Sequence, residues 1–159
     1  MKVNDAMAKA PIFCNLETNL GVAVEMMWAE NCGILPVVDA ERKVVGVITD
    51  RDIAIAMGTK NRLPAEIKVA EAATRKVQTC KPTDDIHLAL DTIAQSKVRR
   101  LVVVNEQNQL EGVLSMDDVV LYSGSKTGTK PDLSSDEVLR TLKMLYSPQL
   151  MERAARAAD

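Results

Sequence analysis

The stretch Gly46-Val47-Ile48-Thr49-Asp50-Arg51-Asp52-Ile53 recurs as Gly112-Val113-Leu114-Ser115-Met116-Asp117-Asp118-Val119. The offset, 66 residues from Gly46 to Gly112, holds without a gap back to Val3 opposite Val69. It pairs Ala6 with Ala72, Cys14 with Cys80, Ala23 with Ala89, and Leu35-Pro36-Val37-Val38 with Leu101-Val102-Val103-Val104. A fixed period marks two copies of one supersecondary unit, and such units pack together because neither buries its core alone.

Working outward, each copy predicts the order β-α-β-β-α, an α+β fold written twice. A short extended segment (12–14, then 77–80) precedes a helix. Thr18 or Asn19 marks the start of that helix in copy one, and Thr83 ahead of two acids marks it in copy two, since oxygen side chains and acids suit the positive end of a helix. These helices cover 20–28 and 86–94. Leu20, Ala23, Val24 and Met27 share a face, and Val22, Met26 and Trp28 widen it, which predicts burial on more than one side or a dimer surface. The β-branched runs 35–38 and 44–48, then 101–104 and 110–114, read as strands joined into hairpins by polar turns. A second helix follows over 50–57 and 116–122.

The expected plan is a first repeat over 1–58, a linker over 59–68, a second repeat over 69–123, and a flexible connection with a helical tail over 124–159. In the tail, Ser134 and Glu137 spell a capping box ahead of a helix over 138–146. Pro148 predicts a break, with a short last helix over 150–158. Nothing in the repeat gives this tail a place in the core.

A balance of 47% hydrophobic and 26% charged residues in 159 is that of a globular domain with a real core. Net charge of −2 argues against nucleic acid held on a broad basic surface, and 3% aromatic residues leave little for base stacking. No run approaches the roughly 18 apolar residues of a membrane span, and the opening Met1–Asp5 lacks an export pattern. Neither nucleic acid nor membrane is expected as a partner. Three cysteines without a CxxC, two of them at equivalent positions, predict structural thiols in a reducing cytoplasm.

Catalytic constellations are missing from the sequence. His87, the one histidine, has no Cys or Ser at nucleophile spacing, and the cysteines are scattered singly rather than set for a metal. Gly124 to Lys130 lacks the Gly-Lys-Ser/Thr ending of a phosphate loop. No enzyme activity, metal or required cofactor is expected. There remain Thr49-x-x-Asp52 and Ser115-x-x-Asp118, each between a strand and a helix. One reading makes each pair a helix cap. The other makes it a ligand site: hydroxyl and N-terminal amides take an anion, and the carboxylate accepts from both hydroxyls of a ribose diol. Gly46 to Ile48 and Gly112 to Leu114 then wall a flat base.

A doubled β-α-β-β-α unit with Gly-h-h-Thr/Ser-x-x-Asp (h apolar), Leu35-Pro36-Val37-Val38-Asp39 upstream and Val3-Asn4-Asp5-Ala6-Met7 at its start resembles a pair of CBS domains, a Bateman module. The likeness covers residues 1 to 123. Val98 to Val104 is also similar to the nucleotide-sensing repeats in the gamma subunit of AMP-activated kinase, where a basic pair before the strand meets phosphate. The resemblance implies two copies about a pseudo-two-fold axis, with a central cleft for AMP, ADP, ATP or S-adenosylmethionine. By position it assigns Asp52 and Asp118 to ribose hydroxyls, Thr49 and Ser115 to phosphate or ribose, and Arg99 and Arg100 to phosphate. Ile12, Gln78, Ile34 and Leu35 frame adenine, and Arg51 sits beside its acid as is common in the family.

Copy one has Gly33 and Ile34 where copy two has Arg99 and Arg100, and copy two has Asp117 in place of Arg51, so unequal sites are expected. The function that follows is a non-enzymatic sensor of an adenosine-containing ligand, acting as a homodimer on an unidentified regulated protein. The alternative is an interaction adaptor whose Thr and Asp are only caps and whose tail helix docks a partner.

Overall fold

The computed structural model describes residues 1–124 and 132–157, with side chains through Ser147. Its elements are α1 (Val3–Ala6), β1 (Ala8–Lys9), α2 (Leu20–Ala29), β2 (Ile34–Val38), β3 (Val44–Thr49), α3 (Asp50–Lys60), β4 (Thr79–Cys80), α4 (Ile86–Ser96), β5 (Arg100–Val104), β6 (Leu110–Ser115), α5 (Met116–Tyr122) and α6 (Ser135–Ala157). Single 3-10 turns lie at Pro64–Glu66 and Val69–Glu71. Mixed helix and sheet in two copies is the expected fold class. No helix among the described residues is long and apolar enough to cross a membrane.

In the first copy β2 and β3 pair antiparallel, Ile34 opposite Thr49 and Leu35 opposite Ile48, with an irregularity between Val37 and Val38. Cys14 bridges Val37 in parallel and Thr74 bridges Val47 on the other strand. The second copy forms a sheet in the order β1-β6-β5-β4, with Cys80 opposite Val103. Thr74 is the 66-residue counterpart of Ala8 in β1. The two opening segments have therefore exchanged places, each adding to the sheet of the other copy.

The leading turns follow the same rule. Val3 and Asn4 donate their amides to Asp84 and Pro82 carbonyls at 3.0 Å, and Ile86 N–H reaches Met1 O at 3.1 Å. In the counterpart, Val69 and Ala70 donate to Thr18 and Leu16 carbonyls at 2.7 and 3.0 Å, and Leu20 N–H reaches Ile67 O at 2.9 Å. One compact unit thus gathers Lys9–Val77 with Val104–Gly112, and the other gathers Met1–Ala8, Gln78–Val103 and the described residues from Val113 onward. The stretch 59–68, read as a linker, packs inside the first unit. Asn61 ends α3 in the left-handed conformation, and Ile67 is fully buried among Leu20, Leu35 and Ile48.

Asn19 caps α2 by accepting from Val22 N–H at 3.0 Å. In α4 the cap is Asp85, which accepts from His87 N–H at 2.9 Å, two residues beyond the Thr83 that the sequence suggested. Of the broad apolar surface on α2, Leu20, Ala23 and Met27 are buried in the core and Met26 packs half-buried against it; Val22, Val24 and Trp28 are exposed.

The tail departs most from expectation. Leu133, Val138 and Leu145 are buried in the core of the second unit with Ile86, Leu90 and Ile93, and Leu142 and Tyr146 flank them. The spacing 138, 142, 145 is one helical face. Ser134 and Glu137 form the expected capping box. Pro148 does not break the helix: α6 runs through it to Ala157. A proline at 148 has no N–H for the carbonyl of Met144, one turn back, and the Lys97 ammonium donates to that oxygen at 2.6 Å. The stretch from Ser125 to Lys130, compared above with a phosphate loop, lies outside the described residues.

Candidate functional site

Thr49 closes β3 and caps α3. Its amide and hydroxyl donate to Asp52 Oδ2 at 2.9 and 2.7 Å, and Asp52 N–H returns a bond to Thr49 Oγ1 at 3.2 Å. Ser115 closes β6 and caps α5 in the same way, with 2.9 and 2.5 Å to Asp118 Oδ2 and 3.1 Å in return. The repeat therefore extends to individual atoms. In both copies the capping reading is realised.

Capping takes up the donors that an anion pocket needs. In copy one Asp50 N–H donates to Gly33 O at 3.3 Å and Arg51 N–H to Asp50 Oδ1 at 2.8 Å. With Thr49 and Asp52 also bonded, the amides from 49 to 52 all have acceptors, so α3 does not present the free N–H cluster the sequence suggested. Copy two repeats the bond from Met116 N–H to Arg99 O at 3.0 Å. Met116 has no side-chain oxygen to match Asp50, so the bond from residue 51 has no counterpart there.

The carboxylates keep more capacity. Both bonds received by each acid go to Oδ2, whereas an ionised carboxylate has about four lone-pair sites. Asp52 and Asp118 are half-buried in the first turns of α3 and α5, with acceptor capacity for two further donors. A vicinal diol supplies two.

The remaining predicted residues divide by unit. Ile12, Ile34, Leu35, Thr49, Arg51 and Asp52 belong to the first, and Gln78, Arg99, Arg100, Ser115 and Asp118 to the second. Ile34 sits directly across from Thr49, and Ile12 packs half-buried on the core. Leu35 is fully buried, so only its backbone is available to a ligand. Arg51 is exposed on the first turn of α3. Gln78 accepts from Val102 N–H through its carbonyl at 3.1 Å, and its side chain accepts from Ser96 Oγ at 3.2 Å. Arg100 opens β5 half-buried, while the exposed Arg99 stacks its guanidinium on Tyr146, 5.2 Å from the ring centre.

Asp50 and Tyr146 escaped the sequence reading of the site. A Cβ on Gly33 would lie 3.0 Å from Asp50 Oδ2, so a side chain like Arg99 at this position meets an acid in copy one. Tyr146 holds Arg99 from a helix outside the repeat, where the period gives no signal. Burial pushes the Cys14 thiol up to about 11 and Cys80 up to about 12, which fits structural thiols. No cluster of His, Cys, Asp and Glu able to hold a metal occurs among the described residues.

Residues 3–58 and 69–125 match the family described as the CBS domain. An inosine-5'-monophosphate dehydrogenase of Methanocaldococcus jannaschii is 32% identical over 120 residues, covering 75% of this chain and 23% of that enzyme. The chain thus spans about a quarter of that relative's length. The solved CBS domain pair of protein MJ0100, in complex with 5'-methylthioadenosine and S-adenosyl-L-methionine, is 25% identical with a TM-score of 0.70, covering 76% of this chain and 98% of that one. CBSX2 in complex with AMP is 25% identical with a TM-score of 0.66, covering 76% and 93%. Two matched repeats share the fold of such solved pairs. The chain belongs to the CBS-domain family, as a tandem pair of its repeats.

Proposed function

We propose that this pair binds an adenosine-containing ligand, either AMP, ADP or ATP or else S-adenosylmethionine, and passes its occupancy to another protein by a change of shape or assembly. The observation that carries this reading is the doubled carboxylate. Each Asp secures its cap through Oδ2 and keeps acceptor capacity suited to a ribose diol. Two relatives solved with adenosine compounds support it, MJ0100 and CBSX2. In this proposal Thr49 and Ser115 aim the acids rather than supply amides. Arg99 and Arg100 take phosphate on the second copy, while Ile12, Ile34, Gln78 and the Leu35 backbone border the base. Arg51 in copy one and Asp117 in copy two make the two sites unequal.

The module acts in the cytoplasm as a homodimer and needs no cofactor. Ligand shifts the arrangement only by its differential affinity for the alternative states. The adaptor reading is weakened because α6 turns Val138 and Leu145 into its own unit.

A thermal-shift panel of adenine nucleotides and S-adenosylmethionine tests the proposal. Ligand at about 100 times its Kd adds about 2.7 kcal/mol, roughly 5–10 °C in Tm for a chain of this size. Asp52→Asn and Asp118→Asn each keep an oxygen for the cap but lose the carboxylate, and each is expected to remove the response of one site. No shift with any adenosine compound overturns the reading.

A further inference from the structure

We infer, resting on the adenosine reading above, that Tyr146 is a positioning residue for the second copy's site. It holds the Arg99 guanidinium ready for phosphate, so α6 completes that site, and the site selects an adenosine compound that carries phosphate.

Lys97 and Arg99 follow α4 two residues apart, and one turn of α6 meets both. Lys97 Nζ donates to Met144 O at 2.6 Å, and the Arg99 guanidinium lies 5.2 Å from the centre of the Tyr146 ring. Nearer the start of both helices, His87 Nε2 lies 3.2 Å from Glu137 Oε1. Tyr146 packs half-buried against the core beside the fully buried Leu145, so its ring is a fixed platform under an exposed side chain. The backbone of Arg99 reaches the cap as well. Its carbonyl accepts from Met116 N–H at 3.0 Å, and Met116 follows Ser115, whose amide and hydroxyl hold Asp118. Tyr146, Arg99, Ser115 and Asp118 all belong to one compact unit.

A stacked guanidinium gives the ring its face and keeps its five N–H donors at the edge, in plane. Among the described residues no acid pairs with that edge. Phosphate takes two such donors side by side. An unsupported exposed arginine loses rotamer freedom on binding, whereas one already stacked has lost it beforehand, an advantage of about 2- to 10-fold in affinity. Arg100, half-buried at the start of β5, adds a second cation. The first copy has neither part. Gly33 stands at the Arg99 position, where a Cβ would meet Asp50 Oδ2 at 3.0 Å, and α6 has no counterpart in that repeat.

The test uses the full chain carrying Asp52→Asn, which leaves the second site to respond, and titrates it with AMP and with adenosine by calorimetry. AMP is expected to bind more tightly. Tyr146→Leu is expected to lower the ratio of AMP to adenosine affinity about 2- to 10-fold, and Tyr146→Phe, which keeps the ring face, to preserve it. In an Arg99→Ala background Tyr146→Leu should change the ratio no further, because the ring acts only through the guanidinium. Far-UV circular dichroism follows each variant. Arg99→Lys removes the planar fork without touching α6 and is expected to lower the ratio likewise, so the test stands even where Tyr146→Leu loosens the helix. A ratio unmoved by Tyr146→Leu or Arg99→Lys, one lost equally in Tyr146→Phe, or a loss that persists without Arg99 overturns the inference alone. So does equal affinity for AMP and adenosine, or a response of the Asp52→Asn chain to S-adenosylmethionine only. A parent chain that binds none of the three overturns the adenosine reading and this inference together.

Discussion

Asp52 and Asp118 each meet two demands with one carboxylate. The cap fixes the side chain from its own backbone, and a capped acid is held in place before any ligand arrives. Thr49→Ala is expected to cost about 1 kcal/mol, seen as a lower Tm without ligand, and to weaken the adenosine response because Asp52 loses its hydroxyl donor. Thr49→Ser should spare both. The four-residue motif was legible in the sequence, but it spelled cap and ligand site equally. Which oxygen takes the bonds is a matter of atomic geometry that no pattern of letters contains.

The buried thiols carry a pH signature of their own. Cys14 and Cys80 stay protonated in the folded chain to about 11 and 12, against 9.0 for the free group. Their contribution to stability is complete below about pH 9 and is lost as pH rises through 11 to 12, since the unfolded chain releases those protons first. Titration with a thiol reagent at pH 8 is expected to label only the half-buried Cys32 rapidly, and all three thiols in denaturant.

Among the elements, the four hairpin strands and their following helices were readable because β-branched runs, polar turns and caps agree with one another. The end of α6 was not. Pro148 carries a strong local signal to stop, and what overrides it is an ammonium from a residue 51 positions earlier, Lys97, itself held at φ 56° beyond α4. Lys97→Ala is expected to cost about 1–2 kcal/mol. Pro148→Ala restores an N–H for Met144 O and should recover much of that loss. The two changes are then non-additive by roughly 1 kcal/mol in a double-mutant cycle followed by Tm. Additive effects would mean that lysine and proline act on α6 independently. The packing of α6 was illegible for a related reason: its apolar face is plain, but the repeat holds no second example from which to read its seat.

On the scale of the whole molecule, the period identified two copies but not which opening segment belongs to which unit. Lengths and polarity alone made 59–68 a linker, whereas Ile67 stands in the core as the counterpart of Met1. Ile67→Ala is expected to destabilise the chain by about 2–5 kcal/mol in denaturant unfolding. A residue in a true linker would change stability by less than about 0.5 kcal/mol.

That reciprocal exchange also bears on how such a chain can be divided. A polypeptide cut to a single repeat would carry a first turn with no berth in its own body, along with a vacant berth that its own first turn does not fill. Both needs are met if two identical halves trade their leading turns. The join between the halves in the present chain turns that bargain between strangers into one kept within a single molecule.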